Sequence, residues 1–552
     1  VDVPTNGSET DTGLGGEVRG NYPTFNPLNN PATSATLGNG NLEVTANTTL
    51  FQAVVGTVFA SSGKWYAEFT QQVTATDQVI GIAADTFVPL SSGNRYIGRT
   101  ADSYGIYSDG RKINNNVFTS YGLSWAVGDV LNVALDLDNG KVWFGKNGTW
   151  YASGNPAAGT NAAFTGISGS YTFACSPYGT GKFEFNAGQR PFAYTAPSGF
   201  KALCTANLPA PVVTKPNTVF DTVLWTGNNT GQTITMPGAF SPDLVWTKMR
   251  SEANAHWLFD VVRGTNQGLS SSSTTNELTR SSSVTAFGST GFTLGTSADV
   301  NSSAYTYVAW TWDAGSSTVT NTQGSITSQV RANASAGFSI ITATQPVTAN
   351  LGCTVGHGLG VAPSMYIVKD RDLSINWGVY HSGLSSPATQ ALQLSTTSAA
   401  FTATNYWKST SPTSSVLSIG TSIVGEGNDF VVYAFAPVAG YSSMGSYVAN
   451  ANSDGPFVYT GFKPRFVLCK LSSASGADWL IFDTARSPYN VVQANLRPNT
   501  SGAEESAFAR IDILSNGFKV RAGSGVEPNG TNGNTYIYAA WAESPFNYSR
   551  AA

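Results

Sequence analysis

Between Phe51 and about Phe200, apolar and polar positions alternate in short runs separated by turn residues, the period of strands rather than of helices. Val133–Trp150, VALDLDNGKVWFGKNGTW, shows it best: Val133, Leu135 and Leu137 face one way and Asp136 and Asp138 the other. Asn139-Gly140 then turns the chain, both positions tolerating positive φ, and Lys141–Gly145 runs back. Asn147-Gly148 makes a second such turn before Trp150, and GKWYAEF (63–69), VIGIA (79–83) and YGIY (104–107) read as further strands.

Farther along, alternation gives way to repetition. Residues 240–248 (FSPDLVWTK), 361–369 (VAPSMYIVK) and 462–470 (FKPRFVLCK) each hold a Pro, an apolar run and a Lys six positions after the Pro. A Trp follows each Pro after 15, 14 and 15 residues (Trp257, Trp377, Trp479), and an aromatic, β-branched run closes each copy at 305–310, 430–435 and 536–541. A fixed offset met three times signals an internal repeat. It predicts three related β-sandwich-type modules at 219–325, 326–440 and 441–552. Each opens on a strand (222–225, 338–342, 446–448) and carries another at 291–295, 416–420 or 517–521. The middle copy departs most, with Tyr380-His381 where the others have Phe259-Asp260 and Phe482-Asp483.

Residues 1–45 hold Pro, Asn, Gly and Thr without apolar periodicity and read as an arm or linker, with Leu42 and Val44 opening the first packed region. Residues 206–218 carry three prolines and read as a stiff linker. The domain plan is therefore an arm, a β-sandwich over 46–205, a linker and three modules. The chain starts at Val1 without a Met or a leader-like run, which suggests trimming or a beginning upstream of Val1.

Composition supports an all-β protein. Of 552 residues, 41% are hydrophobic, 12% aromatic and only 11% charged, against about 25% charged in an ordinary soluble protein. With 29 basic and 33 acidic residues, a net charge of −4 and no basic run, no nucleic-acid partner is expected. No apolar stretch approaches the ~20 residues of a membrane span, so no membrane insertion is expected. Cys175, Cys204, Cys353 and Cys469 are scattered without a CxxC and read as buried thiols.

The strands at 63–69 and 104–107, the hairpin at 128–150 and the terminal strand KFEFNAGQRPF (182–192) together resemble a SPRY domain. With AFTGISG (163–169) and PSGFKALCTANLP (197–209), the version most similar is that of tailed-bacteriophage virion proteins, and the resemblance covers roughly 50–205. In such proteins an arm like this one often follows a further upstream domain. The tandem copies, with their ending ESPFNYSR (543–550), also resemble the C-terminal repeats of phage virion proteins. The resemblance implies a virion component assembled in the host cytoplasm and displayed as a surface appendage. It implies other virion proteins and a host surface glycan or protein as partners, and a homo-oligomer.

Candidate chemistry is sparse. Asp136–Asn147 could pass for a calcium loop, but the Gly falls at position five and position twelve is Asn147, so the chelating pattern fails and a hairpin remains. His256, His357 and His381 stand in different contexts with no nucleophile beside them, and read as turn or surface residues. Asp260 with Arg263, and Asp483 with Arg486, recur as Asp-x-x-Arg and read as structural pairs fixing a loop. Paired carboxylates for glycoside hydrolysis have no recognisable motif, so no enzyme, catalytic residue, metal or cofactor is expected. Trp65, Trp143, Trp257, Trp377, Trp479 and Trp541 sit in strand patterns and read as core. Arg99, Tyr104, Tyr107, Trp150, Tyr151 and Tyr178 lie in or beside loops of the SPRY-like region, where SPRY domains generally bind partners. Rings there can stack on sugars or anchor a protein contact. The expected function is a tail fibre or adhesin, with a capsid decoration or head fibre as the alternative and a polysaccharide-degrading tail enzyme behind both.

Overall fold

Asn139-Gly140 turns the chain as its sequence demands: Val130–Asp136 pairs antiparallel with Lys141–Lys146, and Gly140 has φ +61°. In the computed structural model, which describes residues 11–30, 35–73, 77–89, 96–347 and 351–545, this hairpin lies in one of two sheets forming the first compact unit, residues 1–210. The nine-stranded sheet runs Ala35–Gly38, Glu43–Ala46, Lys182–Asn186, Lys64–Val73, Val130–Asp136, Lys141–Lys146, Thr149–Trp150, with two short strands attached. The six-stranded sheet runs Val54–Val55, Tyr171–Ser176, Val79–Ala84, Ser103–Tyr107, Arg111–Asn114, Val117–Ser120. Aromatic rings from the two sheets meet between them: Phe173 of the six-stranded sheet lies 6.4 Å from Phe185 of the nine-stranded one, which stacks 5.0 Å from its sheet neighbour Phe69. This is a β-sandwich.

Two expectations about connectors are corrected. The described part of the arm is not free. Phe25 is fully buried and stacks 5.2 Å from Phe185, while Ala35–Gly38 and Glu43–Ala46 form a hairpin continuing the nine-stranded sheet. A lone aromatic among polar residues shows no period, so its burial was invisible in the pattern. Residues 1–10 and 31–34 of the arm lie outside the described residues. Nor is 206–218 an extended linker: Asn207 hydrogen-bonds Asp11 and the Ala202 carbonyl in the first unit, and Val213 enters the core of the second.

The second compact unit, residues 211–552, contains three sheets, the first and third four-stranded and the second eight-stranded, that share one order of four strands. In each, the opening strand (Phe220–Thr226, Phe338–Thr344, Ser442–Val448) pairs with the closing strand (Thr306–Trp312, Asp429–Phe435, Thr535–Pro545). The closing strand pairs with the Pro-to-Lys strand (Leu244–Met249, Met365–Asp370, Phe462–Leu471), and that with a fourth (Trp257–Asp260, Gly378–His381, Leu480–Asp483). Register agrees too. Leu244, Met365 and Phe466 lie opposite Trp312, Phe435 and Trp541 on one side and opposite Asp260, His381 and Asp483 on the other. A smaller sheet accompanies each, built on Gly291–Leu294, Val416–Ile419 or Gly517–Val520.

The module boundary expected at 325/326 is corrected, because Thr318–Asn321 and Ser328–Asn333 form a hairpin across it that belongs wholly to the second sheet. The equivalence of the three tryptophans is corrected as well. Trp257 pairs with Thr247 as Gly378 pairs with Val368 and Leu480 with Cys469, so the residue in register with Trp377 and Trp479 is His256. Trp257 turns into its own module's core, whereas Trp377 and Trp479 enter the core shared by all three.

The three sheets also share one core. Alternate side chains of each Pro-to-Lys strand (Leu244 and Trp246, Met365 and Ile367, Phe466 and Leu468) face a common axis. There Trp312, Phe435 and Trp541 form a triangle with ring centroids 5.9, 5.5 and 5.2 Å apart. The axial space is about 10 Å³, at or below what one water needs, so the three sheets close into a solid ring.

Candidate functional site

The six surface residues expected from sequence fall in three places. Arg99, Tyr107 and Tyr178 gather around Phe51 and Tyr96 on one face of the six-stranded sheet: Phe51 is 4.4 Å from Tyr96, 6.1 Å from Tyr107 and 5.2 Å from Tyr178. Exposed Arg99 lies 5.7 Å over the Tyr96 ring, with one N–H 3.4 Å from the Asn116 side-chain oxygen. Arg111 extends this cluster, 4.5 Å over Phe118 and 2.6 Å from Asp109. Tyr104 is half-buried between the sheets, 5.1 Å from Phe164. Trp150 leans on Tyr66 at 6.3 Å beside the other sheet.

Two of the six are corrected from loop-tip to packed residues. Tyr107 is buried, with its hydroxyl donating to Asp77; burial, then that bond, raises its pKa. Tyr151 is buried and donates to the Leu123 carbonyl at 3.0 Å. An aromatic beside a turn reads as a tip in sequence, but here the Tyr107 ring packs on Phe51 and Phe118 and the Tyr151 ring on Tyr121 and Gly122.

The acids of the suspected calcium loop are occupied with the hairpin. Asp138 accepts the Gly63 N–H at 2.6 Å, Asp136 holds Lys64 at 3.2 Å, and Asn147 accepts the Val130 N–H at 2.9 Å. Among the described residues no group of three or more His, Cys, Asp or Glu is arranged to hold a metal.

In the second unit several buried ion pairs are built into the joints between sheets. Asp260 and Arg263, both fully buried and 2.5 Å apart, receive Tyr433 of the second sheet, whose hydroxyl donates to Asp260 at 2.8 Å. Glu277 bridges Arg263 and Arg371 of the second sheet, each at 2.7 Å. Burial alone would raise Glu277, but hydrogen bonds from Arg371 and the charge of Arg263 prevail and hold it below the usual range. The third and first sheets repeat the device. Trp310 donates to Asp483 at 2.9 Å, Asp483 pairs with Arg486 at 2.5 Å, and Glu504 ties Arg486 to Arg250. The Asp-x-x-Arg spacing was legible in sequence. Glu277, Arg371, Glu504 and Arg250 were not, because they lie on variable loops or just beyond the repeated Lys.

Those repeated lysines, Lys248, Lys369 and Lys470, face inward and are almost wholly buried. Each donates to a backbone carbonyl at the end of its strand or in the loop that follows, Lys369 to Leu373 at 2.9 Å and Lys470 to Leu471 at 2.8 Å. Burial lowers the pKa of all three to about 8.

A family model described as a domain of unknown function, DUF7483, matches residues 215–545, and a SPRY domain model matches residues 64–190. Among solved structures, the chain is similar to the SPRY domain of human HERC1, at 16% identity over 29% of this chain and 96% of that one (TM-score 0.24). It is also similar to stonustoxin (20% identity, 30% of this chain and 27% of that one, TM-score 0.24) and to the TRIM65 PSpry domain (16%, 30% and 93%, TM-score 0.23).

Proposed function

The chain belongs to the DUF7483 family and carries a SPRY domain ahead of it, and from that premise we propose that it is a bacteriophage virion structural protein, a tail fibre or adhesin that contacts the host surface. The three sheets of the second unit are, in this reading, tandem copies of one module closed into a rigid mount. The SPRY unit supplies the contact, and copies in a homo-oligomer add avidity.

One observation supports this division of labour. In the ring, Asp260, Arg263, Glu277, Asp483, Arg486 and Glu504 are turned inward and tied together at joints, where they hold structure. On the SPRY unit, Arg99 and half-buried Tyr178 flank Phe51 with surface still open to solvent, the mixture of cation and aromatic ring suited to a sugar or protein contact. The contact is accordingly placed at Arg99 and Tyr178.

The test is binding of the full chain to a panel of bacteria, with released sugars assayed in the same tubes. Saturable binding without sugar release, weakened by Arg99→Ala with Tyr178→Ala, supports the adhesin. Sugar release would replace it with the polysaccharide-degrading reading. The alternative, a capsid decoration or head fibre, draws on exposed apolar residues of the third sheet module. Tyr489 is 83% exposed and Phe508 47%, and Asn490, bonded through its side chain to both backbone groups of Ile513, holds the first stretch beside the second. Absence of cell binding with incorporation into particles intact would favour that reading.

A further inference from the structure

The three joints of the ring are not built alike. At the first–second and third–first joints a carboxylate takes an aromatic N–H or O–H from the next sheet and is backed by a buried arginine. At the second–third joint the register position of Asp260 and Asp483 is His381, and that of Tyr433 and Trp310 is Ala539. His381 is fully buried. Its Nδ1 accepts the Gly383 N–H at 3.0 Å and its Nε2 lies 3.0 Å from the Tyr538 carbonyl of the third sheet. With one nitrogen accepting and the other facing an acceptor, only the neutral tautomer carrying its proton on Nε2 fits; a proton on Nδ1 would point at the Gly383 N–H.

We propose that His381 is an acid-sensitive clasp: its protonation opens the second–third joint while the other two joints stay closed.

The surroundings of His381 offer nothing to hold the cation. Met365 lies opposite it on its own sheet, the backbone of Gly445 approaches Gly383 from the third sheet's opening strand, and Tyr538 presents its carbonyl while its phenol reaches Ser443. Burial lowers the imidazole to about 4, opposed only by the Tyr538 carbonyl, and no charged side chain among the described residues bears on it. Other bonds across this joint do not respond to acid, among them Trp479 to the Gln393 carbonyl at 3.0 Å, the Ala400 N–H to the Ser472 carbonyl at 2.9 Å, the Gly476 N–H to the Thr397 carbonyl at 2.9 Å, the Ala399 N–H to the Ser475 hydroxyl at 2.9 Å, and Lys470 to the Thr397 carbonyl at 3.4 Å.

His256, at the third–first joint, is a different case. It accepts the Trp246 indole N–H at 3.1 Å, and its nearest charged neighbours, Lys248 and Arg486, both resist a second cation. That joint also carries Arg465 paired with Asp221 at 2.9 Å, besides Glu504 held below the usual carboxylate range. His357 lies within the second module, between the Leu359 N–H and the Thr413 carbonyl, and touches no joint.

Hydrogen–deuterium exchange on the full chain at pH 7 and pH 4.5, read as protection factors, tests the clasp. A group at about 4 when closed and 6.5 when open favours opening roughly 60-fold more at the lower pH. Segments 378–384 and 536–541 should lose protection by about that factor while 257–263 and 480–486 keep theirs. A dye that binds exposed apolar surface should brighten as the Phe435–Trp541 contact is uncovered. His381→Gln, which can accept from Gly383 and donate to Tyr538, should stay closed at pH 4.5. Uniform loss at all three joints, an unchanged acid response in His381→Gln, or, if that variant does not fold, a wild-type His381 imidazole titrating above 6 by NMR, overturns the proposal.

Discussion

Trp541 is 2% exposed and touches Phe220, Trp312, Phe435 and Phe466, rings drawn from all three sheets. Cutting it to alanine removes one corner of the axial triangle, and Trp541→Ala should cost about 3–5 kcal/mol in a urea titration. The buried lysines make a prediction of opposite flavour. Each titrates near 8 in the fold and at 10.5 when exposed, so between those values the unfolded chain holds more protons and stability rises with pH. The melting temperature should therefore climb from pH 7.5 to 8.5, by a gain of under about 1 kcal/mol per lysine, before buried thiols such as Cys353, pushed up to about 12, begin to oppose it. Lys369→Met should flatten the climb by its share. Buried tyrosines such as Tyr433, whose ionisation is pushed upward by burial, begin to oppose this only above about pH 10. A curve that falls across that window would show that the amines are not buried as charges.

Strands and their order were the most legible level. The apolar runs LVW, MYIV and FVLC are continuous rather than alternating, the mark of a strand covered on both faces, and each lies inside its sheet between the closing strand and the fourth strand. What covers the second face is not written in the run itself: Val245 turns to its own module, Leu244 and Trp246 to the axis. His256 was misread for a simpler reason. Loop length between the Pro and the fourth strand differs by a residue among the copies, so counting to the nearest Trp shifts the register by one in the first copy. The clamps are element-level features too, pinning the end of a fourth strand to a neighbouring sheet. Arg486→Met leaves Asp483 buried without its counter-charge and should cost about 3–5 kcal/mol. Arg111→Ala, breaking a pair whose partners are each 44% exposed, should cost less than about 1 kcal/mol in the same urea titration.

At the scale of the molecule, the shared core changes what counts as a folding unit. A single module keeps its private core, as the Trp225–Phe292–Tyr307 group does in the first, but leaves its axial face bare without the other two. Residues 211–552 should accordingly melt in one calorimetric transition whose van't Hoff and calorimetric enthalpies agree, and three resolved transitions would return the modules to independent beads. Sequence could show three similarly patterned segments but not the closure of their sheets, because closure depends on which faces meet across hundreds of residues. Of the candidate site, Arg99 and Tyr178 were readable as residue types near turns; that Tyr107 and Tyr151 face inward was not.

The two ends of the ring come together. A side chain added at Gly440, in the turn between the second and third sheets, would lie 3.4 Å from Pro211 and 3.7 Å from Pro545. Tension carried along the backbone would thus enter and leave the ring at nearly one point, stretching little of its body. The load would fall on the seam where the first and last sheets meet, at Arg465–Asp221 and Trp310–Asp483, and the aromatic axis would be spared until that seam parted.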